Sequence, residues 1–249
     1  MKSVNSDIAY DYIRKRILSG EYAPGSSLAT NTLSELIGVS RTPVRDALRQ
    51  LESDGLVTIK TRLGASVTSL SLLEYREICE LRLALESHAA GLAAANRTDA
   101  DLREISLAVE SMRKVTEKIK GSVDEQPHLA DLQREDVRFH LAVMTAAKNA
   151  LMKSEILRLH LINRVVLAPA PLIGASSDER AGRDARRRLV LKSHGDIFQA
   201  IKRGDAKAAH TAMEEHIQDI IDRSVRTIAD AAAGQAAQAL SEEELSYTT

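Results

Sequence analysis

The pattern of apolar and polar residues along the first seventy positions changes from helical to strand spacing. Apolar residues three or four positions apart predict helices that end near Gly20 and Gly38. After position 55, apolar and polar residues alternate around Gly64, which is typical of a small β-hairpin. The predicted elements are helices over 7–18, 32–37 and 41–53 and a hairpin over 56–70. Together they predict one small domain.

From Ser71 onwards the apolar spacing is helical throughout. Ser71 and Glu74 have the spacing of a capping box, which predicts the start of a long helix that continues to about Ala95. Glycine, asparagine and proline divide the rest into further helices. These are predicted over 99–120, 127–148, 150–167, 178–203 and 206–231.

The predicted elements divide the chain into three parts and indicate a mainly α fold. Residues 1–70 form the small domain, and residues 71–232 form an all-α bundle of about six helices. Residues 233–249 are rich in alanine and low in complexity, so we expect a flexible C-terminal tail.

Composition and charge narrow the classes of function. The chain has 34 Lys and Arg against 35 Asp and Glu, so any basic surface must be local. The single cysteine excludes an internal disulfide framework and fits a reducing cytosol. The sequence has neither the apolar run of a signal peptide nor one long enough to span a bilayer. We therefore expect a cytoplasmic protein without a membrane partner.

The third predicted helix has a local basic face. Arg41, Arg45 and Arg49 lie four positions apart, and Thr42 lies beside the first of them. An α-helix fits the major groove of B-form DNA, where arginine can bind guanine O6 and N7 with two hydrogen bonds. Ser40 precedes the helix, where hydroxyl and backbone N–H groups can bind phosphates. This face is therefore a candidate surface for reading duplex DNA.

The hairpin that follows supplies a second candidate contact with DNA. Arg62 and Gly64 lie at its tip, and glycine allows the backbone to approach DNA closely. The alternative is that the arginines of the helix only solvate an exposed face. In that case nearby carboxylates would pair with them, and three are close in sequence: Asp46, Glu52 and Asp54.

Residues 7–67 carry a specific resemblance through the segments "LSGEYAPGSSL", "LSELIGVSRTPVRDALRQLESDGLV" and "GASV". They are similar to the winged helix-turn-helix of the GntR family of bacterial transcription regulators. The resemblance implies contacts to bases or phosphates by Arg41, Thr42 and Arg45, and places Gly64 at the minor groove. It places Arg49 nearer the DNA backbone. Some members have arginine where this chain has Asn31, which implies a weaker phosphate contact there.

Ionisable residues also fall on the inward stripes of three helices in the bundle. Asp136 and His140 lie four residues apart on one stripe, and His194 and His216 lie on two later stripes. A buried carboxylate is costly unless it is paired, hydrogen-bonded or bound to a metal. One aspartate and three imidazoles are a suitable ligand set for Zn²⁺, Ni²⁺ or Mn²⁺, with zinc preferred. The alternative is that each is a hydrogen-bonded core residue.

Residues 73–231 resemble the FCD ligand-binding domain that follows the winged helix in the FadR subfamily. The segment "ICELRLALES", the Asp-x-x-x-His pair and the two later histidines match that domain in order. Six predicted helices suggest its shorter, VanR-like branch. The resemblance implies a metal held by Asp136, His140, His194 and His216, with open positions for a carboxylate effector. Arg82 is either a clamp for that carboxylate or the partner of Glu86 one turn later.

These observations predict a metabolite-responsive transcription regulator, in this family most often a repressor. A homodimer would bind a palindromic DNA operator, and a small organic acid would bind at the metal. The segment between the domains, near residues 66–71, would transmit the signal. Two alternatives remain at this point. One is a regulator that responds to the metal itself, and the other is a metal-dependent hydrolase with an attached DNA-binding domain.

Overall fold

The computed structural model describes residues 4–122, 124–166 and 177–224. The elements of the N-terminal part are α1 Val4–Leu18, α2 Thr30–Ile37, α3 Arg41–Ser53, β1 Val57–Lys60 and β2 Gly64–Val67. Those that follow are α4 Leu72–Asn96, α5 Asp99–Gly121, α6 Gln126–Ala146, α7 Ala150–Val166, α8 Ser177–Arg203 and a helical stretch over 206–224, α9. The mainly α fold class with a two-stranded wing is confirmed.

The N-terminal elements share one apolar core, which orients α3. Helix α1 packs on α3, and α3 contributes Val44, Ala47, Leu48 and Leu51, all buried. The two strands pair antiparallel with Val57 opposite Val67, and both side chains join the same core. Because one stripe of α3 is committed to this core, its opposite face must point to solvent.

Helix α7 belongs to the same compact unit as residues 1–70, although sequence analysis assigns it to the bundle. Val165 lies in the apolar core with α1 and α3 residues. A Cβ placed on Gly55 would lie 2.6 Å from Ile162 Cδ1, so the turn after α3 packs tightly against α7. The connection near residues 66–71 is therefore not the sole covalent link between the units, because the chain also passes from α6 into α7.

The second unit is a bundle built from α4, α5, α6, α8 and α9. Helix α4 starts with the predicted capping box, in which the Ser71 hydroxyl accepts from the Glu74 N–H and the Glu74 side chain accepts from the Ser71 N–H. Helix α5 packs on α6 and α8, and α4 packs on the same two helices. Inward stripes of several helices therefore face one another.

The helices observed in the described residues agree closely with the sequence prediction. Helix α3 has the predicted bounds, and the other predicted bounds differ by at most three residues. Six helices follow the hairpin within the described part of the chain. The predicted tail 233–249 lies outside the described residues, and so does the end of α9. No helix within the described ranges combines the length and apolar character needed to cross a bilayer.

Candidate DNA-binding surface and metal centre

The turn between α2 and α3 is closed by glycine. Gly38 has φ +78°, a left-handed conformation that glycine adopts without steric cost, and its N–H donates to the Ser34 carbonyl at 3.0 Å. Ser40 is the N-cap of α3, as predicted, but its side chain makes no capping hydrogen bond. The hydroxyl at the start of α3 is thus not used in closing the helix.

The outward face of α3 carries the predicted polar side chains. Arg41, Thr42, Arg45 and Arg49 are all exposed. Arg49 pairs loosely with Asp46, with Nη1 and Oδ1 3.6 Å apart and both side chains more than half exposed. Such a surface pair contributes little to stability, so the guanidinium can exchange it for a phosphate.

Of the three carboxylates close to this face in sequence, Asp46 pairs with Arg49, and the other two bind elsewhere. Glu52 Oε1 instead accepts from the Ile59 N–H at 3.0 Å, and Asp54 Oδ2 accepts from the Tyr10 hydroxyl at 2.7 Å. Both carboxylates therefore accept hydrogen bonds from groups of β1 and α1 and not from the arginines of α3. The positive charge of the outer face of α3 is therefore left facing solvent.

The hairpin tip projects a second set of exposed groups. Arg62 and Gly64 have φ angles of +70° and +89°, so the backbone of both residues lies in the left-handed region. A Cβ on Gly64 would meet no atom within 4 Å, which means that the backbone conformation is what favours glycine there. Arg62 is exposed, and Leu63 between them is 80% exposed. Asn31, the position of the departure from the family pattern, is exposed on α2.

Three helices of the bundle bring their histidines together in its interior. His140 of α6, His194 of α8 and His216 of α9 each offer a nitrogen, and these atoms all lie within 4.8 Å of one another. The Nε2 atoms of His194 and His216 are 3.0 Å apart. All three side chains are buried. The predicted convergence of histidines from three stripes is therefore present in the described residues.

Burial keeps two of these imidazoles in the form that binds metals. Burial, followed by the neighbouring histidines, lowers the pKa of His194 well below its ordinary value, and burial with His140 does the same for His216. Neutral imidazole presents a lone pair to a cation. The donor set therefore fits a divalent ion of the borderline class.

Asp136 lies at the edge of this cluster. Its Oδ1 is 3.6 Å from His194 Nε2, and its side chain is 32% exposed while the histidines are enclosed. Two atoms bound to the same ion at about 2.1 Å lie within about 4.2 Å of each other, so the distance between Asp136 and His194 is compatible with shared coordination. Asp136 does not belong to the set of ligand atoms that all lie within 4.8 Å of one another, which the three histidines form. The half-open carboxylate also marks the side of the cluster that solvent can reach.

A charged pair on α4 adjoins the cluster. Arg82 Nε donates to Glu86 Oε1 at 2.8 Å, and the second carboxylate oxygen, Oε2, is 2.5 Å from His140 Nδ1. The sequence indicated Glu86 only as the alternative partner of Arg82, and that pair is present. Its contact with His140 was missed, because no spacing within α4 relates it to a residue on α6.

Comparison with known sequences identifies a family for each of the two parts of the chain. A profile described as "FCD domain" matches residues 77–219, and one described as "Bacterial regulatory proteins, gntR family" matches residues 5–67. The chain is 27% identical to "Uncharacterized HTH-type transcriptional regulator YdhC" of Bacillus subtilis (strain 168), over 83% of this chain and 85% of that protein. It is 28% identical to "HTH-type transcriptional repressor RspR" of Escherichia coli (strain K12), over 90% of each.

A solved structure supports the fold. "E. coli McbR/YncC" superposes with a TM-score of 0.67 at 24% identity, and the alignment covers 92% of this chain and 100% of that one. The matching families and the relatives are transcriptional regulators rather than enzymes, so the hydrolase alternative is set aside. The chain belongs to the GntR family of bacterial transcriptional regulators, with a DNA-binding GntR domain and an FCD effector-binding domain.

Proposed function

We propose that this regulator is a repressor that binds a palindromic operator as a homodimer and is controlled by a small carboxylate effector at a metal site. Its operator lies on the chromosome, so the proposal places the protein in the cytoplasm. The exposed basic face of α3 is the observation that carries the DNA-binding role. Helix α3 enters the major groove, where Arg41 and Arg45 bind base edges. Ser40, Thr42, Arg49 and Asn31 bind phosphates, and Arg62 and Gly64 of the hairpin reach the minor groove.

Two chains are needed because one α3 reads only half of an operator. Helix-turn-helix dimers bind half-sites one helical turn apart, and a two-fold symmetric protein therefore selects an inverted repeat. The regulator RspR, to which the chain is similar over 90% of its length, is named as a repressor. We assign the same sense of control to this chain.

The charges of the buried cluster support an anionic effector. Glu86 and Asp136 carry two negative charges, Arg82 carries one positive charge, and coordinating imidazoles are neutral. These side chains sum to about −1, so a divalent ion held by Asp136, His140, His194 and His216 would leave about +1. A carboxylate bound from the open side at Asp136 would neutralise that charge. Arg82 is the candidate for a second contact to the effector, in competition with its pair to Glu86.

Effector binding must favour one conformation to change DNA affinity. Helix α6 carries His140 and leads directly into α7, whose Val165 lies in the core of the DNA-binding unit. A change in α6 can therefore reach that core along the chain. We propose that α7 transmits the effector signal together with the connection near residues 66–71.

Selection of operators from random duplex DNA with the purified full-length chain tests the DNA-binding role. The proposal predicts that the enriched sequence is an inverted repeat. Native mass spectrometry of the protein on that DNA should then show two chains and one divalent ion per chain. Enrichment of a single unrepeated half-site, or a complex with one chain, would contradict the dimer.

Fluorescence anisotropy on the selected operator tests the effector and separates the second candidate function. The convergence of three histidines equally suits a regulator whose signal is the ion itself. Zinc, nickel and manganese are titrated first without any acid, and a panel of two- to six-carbon hydroxy and keto acids is then added to the metal-loaded protein. Our proposal expects the acid to weaken DNA binding. Release of DNA by metal alone would favour the metal-responsive alternative.

A further inference from the structure

We propose that Glu86 is a positioning residue of the metal centre, and this inference rests on the metal site of the proposed function. The carboxylate of Glu86 contacts Nδ1 of His140, and the guanidinium of Arg82 pairs with the same carboxylate. The role of Glu86 is to fix the orientation and tautomer of one ligand from outside the ligand set.

The geometry of the carboxylate carries this assignment. Glu86 directs one oxygen to each neighbour, with Oε1 at 2.8 Å from Arg82 Nε and Oε2 at 2.5 Å from His140 Nδ1. The side chains of Glu86 and His140 are 0% exposed, and that of Arg82 is 3% exposed. The same buried carboxylate therefore contacts both the guanidinium of Arg82 and the imidazole of His140.

The contact with Glu86 bears on which nitrogen of His140 can bind an ion. A carboxylate oxygen 2.5 Å from Nδ1 can only accept, so the contact favours the tautomer with the proton on Nδ1 and the lone pair on Nε2. His140, His194 and His216 together form the set whose nitrogens lie within 4.8 Å of one another. Metal-bound histidines commonly donate their other ring N–H to a carboxylate, which orients the ring and raises its basicity. Glu86 supplies this group from α4, an element that contributes no predicted ligand.

His194 provides a contrast inside the same cluster. Its Nδ1 is buried and makes no hydrogen bond within the described part of the chain, and its ring packs against Phe139 with centroids 4.3 Å apart. The ring of His194 is therefore placed by packing and by the 3.0 Å contact of its Nε2 with His216 Nε2, whereas Nδ1 of His140 lies 2.5 Å from a buried carboxylate oxygen. Removal of the Glu86 charge should consequently affect His140 and leave His194 in place.

The primary test compares Glu86→Gln with the wild type, using zinc alone as the probe in a competition titration against a fluorescent chelator. We expect zinc affinity to fall about 10- to 100-fold. Glu80→Gln is the matched control, because Glu80 lies on the same helix and pairs with Arg76 at 3.0 Å on the exposed surface. It should leave zinc affinity unchanged. Equal affinity in Glu86→Gln and the wild type would overturn the assignment.

A spectroscopic measurement separates positioning from a general effect on folding. Long-range ¹H–¹⁵N spectra of zinc-loaded protein should show His140 with a protonated Nδ1 and a metal-bound Nε2. In Glu86→Gln the Nδ1 signal should shift while the signals of His194 keep their positions. Binding of zinc through Nδ1 of His140 in the wild type would contradict the proposal.

A second variant distinguishes loss of the Glu86 contact from loss of folding. Glu86→Gln removes the negative charge that pairs with the buried Arg82 guanidinium, and the protein could unfold for that reason. Arg82→Met combined with Glu86→Leu replaces the pair by apolar side chains, which buried sites often tolerate. Circular dichroism should show a native helical signal, and zinc affinity should again fall about 10- to 100-fold. Wild-type affinity in this folded variant would overturn the role of Glu86 but leave the metal site intact. Absence of zinc binding in the wild type would instead refute the metal site and this inference together.

Discussion

The DNA-binding surface and the buried histidine cluster use charged residues under opposite physical conditions. On α3, Arg41 and Arg45 are exposed, and their removal exposes no buried partner. In the bundle, the ionisable groups of His140, His194 and Glu86 are enclosed, and each must be neutral, paired or bound to an ion. Function on the surface is therefore separable from stability, whereas function in the interior is coupled to it.

This contrast predicts how each region responds to substitution. Surface variants should change DNA affinity and leave the free energy of unfolding nearly unchanged, since substitutions away from buried features are usually within about 0.5 kcal/mol. Interior variants should change ligand affinity and stability together. The experiments below test this difference, from the largest expected effect to the smallest.

The largest effect is expected when two predicted ligands are removed together. His140→Ala with His194→Ala deletes two of the three converging imidazoles, and zinc affinity should fall by a factor on the order of 1,000 or more. Titration against a fluorescent chelator measures this loss. His88→Ala removes an exposed imidazole from the same unit and is the control. Metal content unchanged from the wild type in the double variant would contradict the ligand assignment.

The next effect concerns a buried charge outside the histidine cluster. Glu125 lies 4% exposed against three guanidiniums of α8, those of Arg180, Arg183 and Arg187. Glu125→Gln removes the charge that these groups share. It should lower the free energy of unfolding by about 3 kcal/mol at neutral pH. Urea denaturation measures the loss, and Glu104→Gln, which alters an exposed pair with Arg138, should change it little.

The same carboxylate predicts a pH dependence. Burial by itself would raise the pKa of Glu125, but hydrogen bonds from Arg183 and Arg187 outweigh it and hold the pKa below its ordinary value of 4.5. A carboxyl with a lowered folded-state pKa binds protons more readily in the unfolded chain. Its stabilising contribution is therefore complete above about pH 4.5 and is lost as the pH falls through the folded-state value. The stability difference between wild type and Glu125→Gln should shrink below pH 4.5.

A smaller effect is expected at the centre of the DNA-binding face. Arg45→Ala would remove the bidentate base contact that we propose for this residue and should weaken operator binding about 10- to 100-fold. The thermal midpoint should match that of the wild type, because the side chain is exposed. Arg103→Ala removes an equal charge from an exposed position of α5 and should not change operator affinity. Normal operator affinity in Arg45→Ala would refute the role of α3.

The smallest effect is expected at Arg49. We assign it to a phosphate, and its loose pair with Asp46 shows that it is free to exchange partners. Arg49→Ala should weaken binding about three- to fivefold, equally for specific and random DNA, and reduce the salt-dependence slope by about one. Anisotropy at several salt concentrations measures both. A loss confined to the specific operator would move Arg49 to the base-contacting group.

Local features of this fold were predictable because they depend on neighbours in sequence. The capping box joins Ser71 to Glu74, which lies only three positions later. The end of α2 at Gly38 depends only on the left-handed backbone conformation of that glycine. The rotation of about 100° per residue in a helix also determines which residues share a face. For this reason the exposed arginines of α3 and the inward position of His140, His194 and His216 could be predicted before any tertiary contact was known, whereas Asp136 is only partly buried.

Contacts between helices were not predictable in the same way. Glu86 of α4 meets His140 of α6, and Glu125, directly before α6, meets three arginines of α8. Helix α7 was expected in the bundle, but Ile162 packs against Gly55 of the DNA-binding unit. Each of these contacts joins residues more than fifty positions apart, and their distance depends on how side chains of different helices interdigitate.

The amino-acid sequence by itself determined where the helices begin and end, which face of each is apolar, and where charge lies on those faces. Only the tertiary structure decided that His140, His194 and His216 meet at one point, that Glu52 and Asp54 bind other partners than the arginines of α3, and that Glu86 reaches His140. The reason is physical. The periodicity of a helix is set by local hydrogen bonds. The distance between side chains on the inward faces of different helices depends on the packing of the whole core.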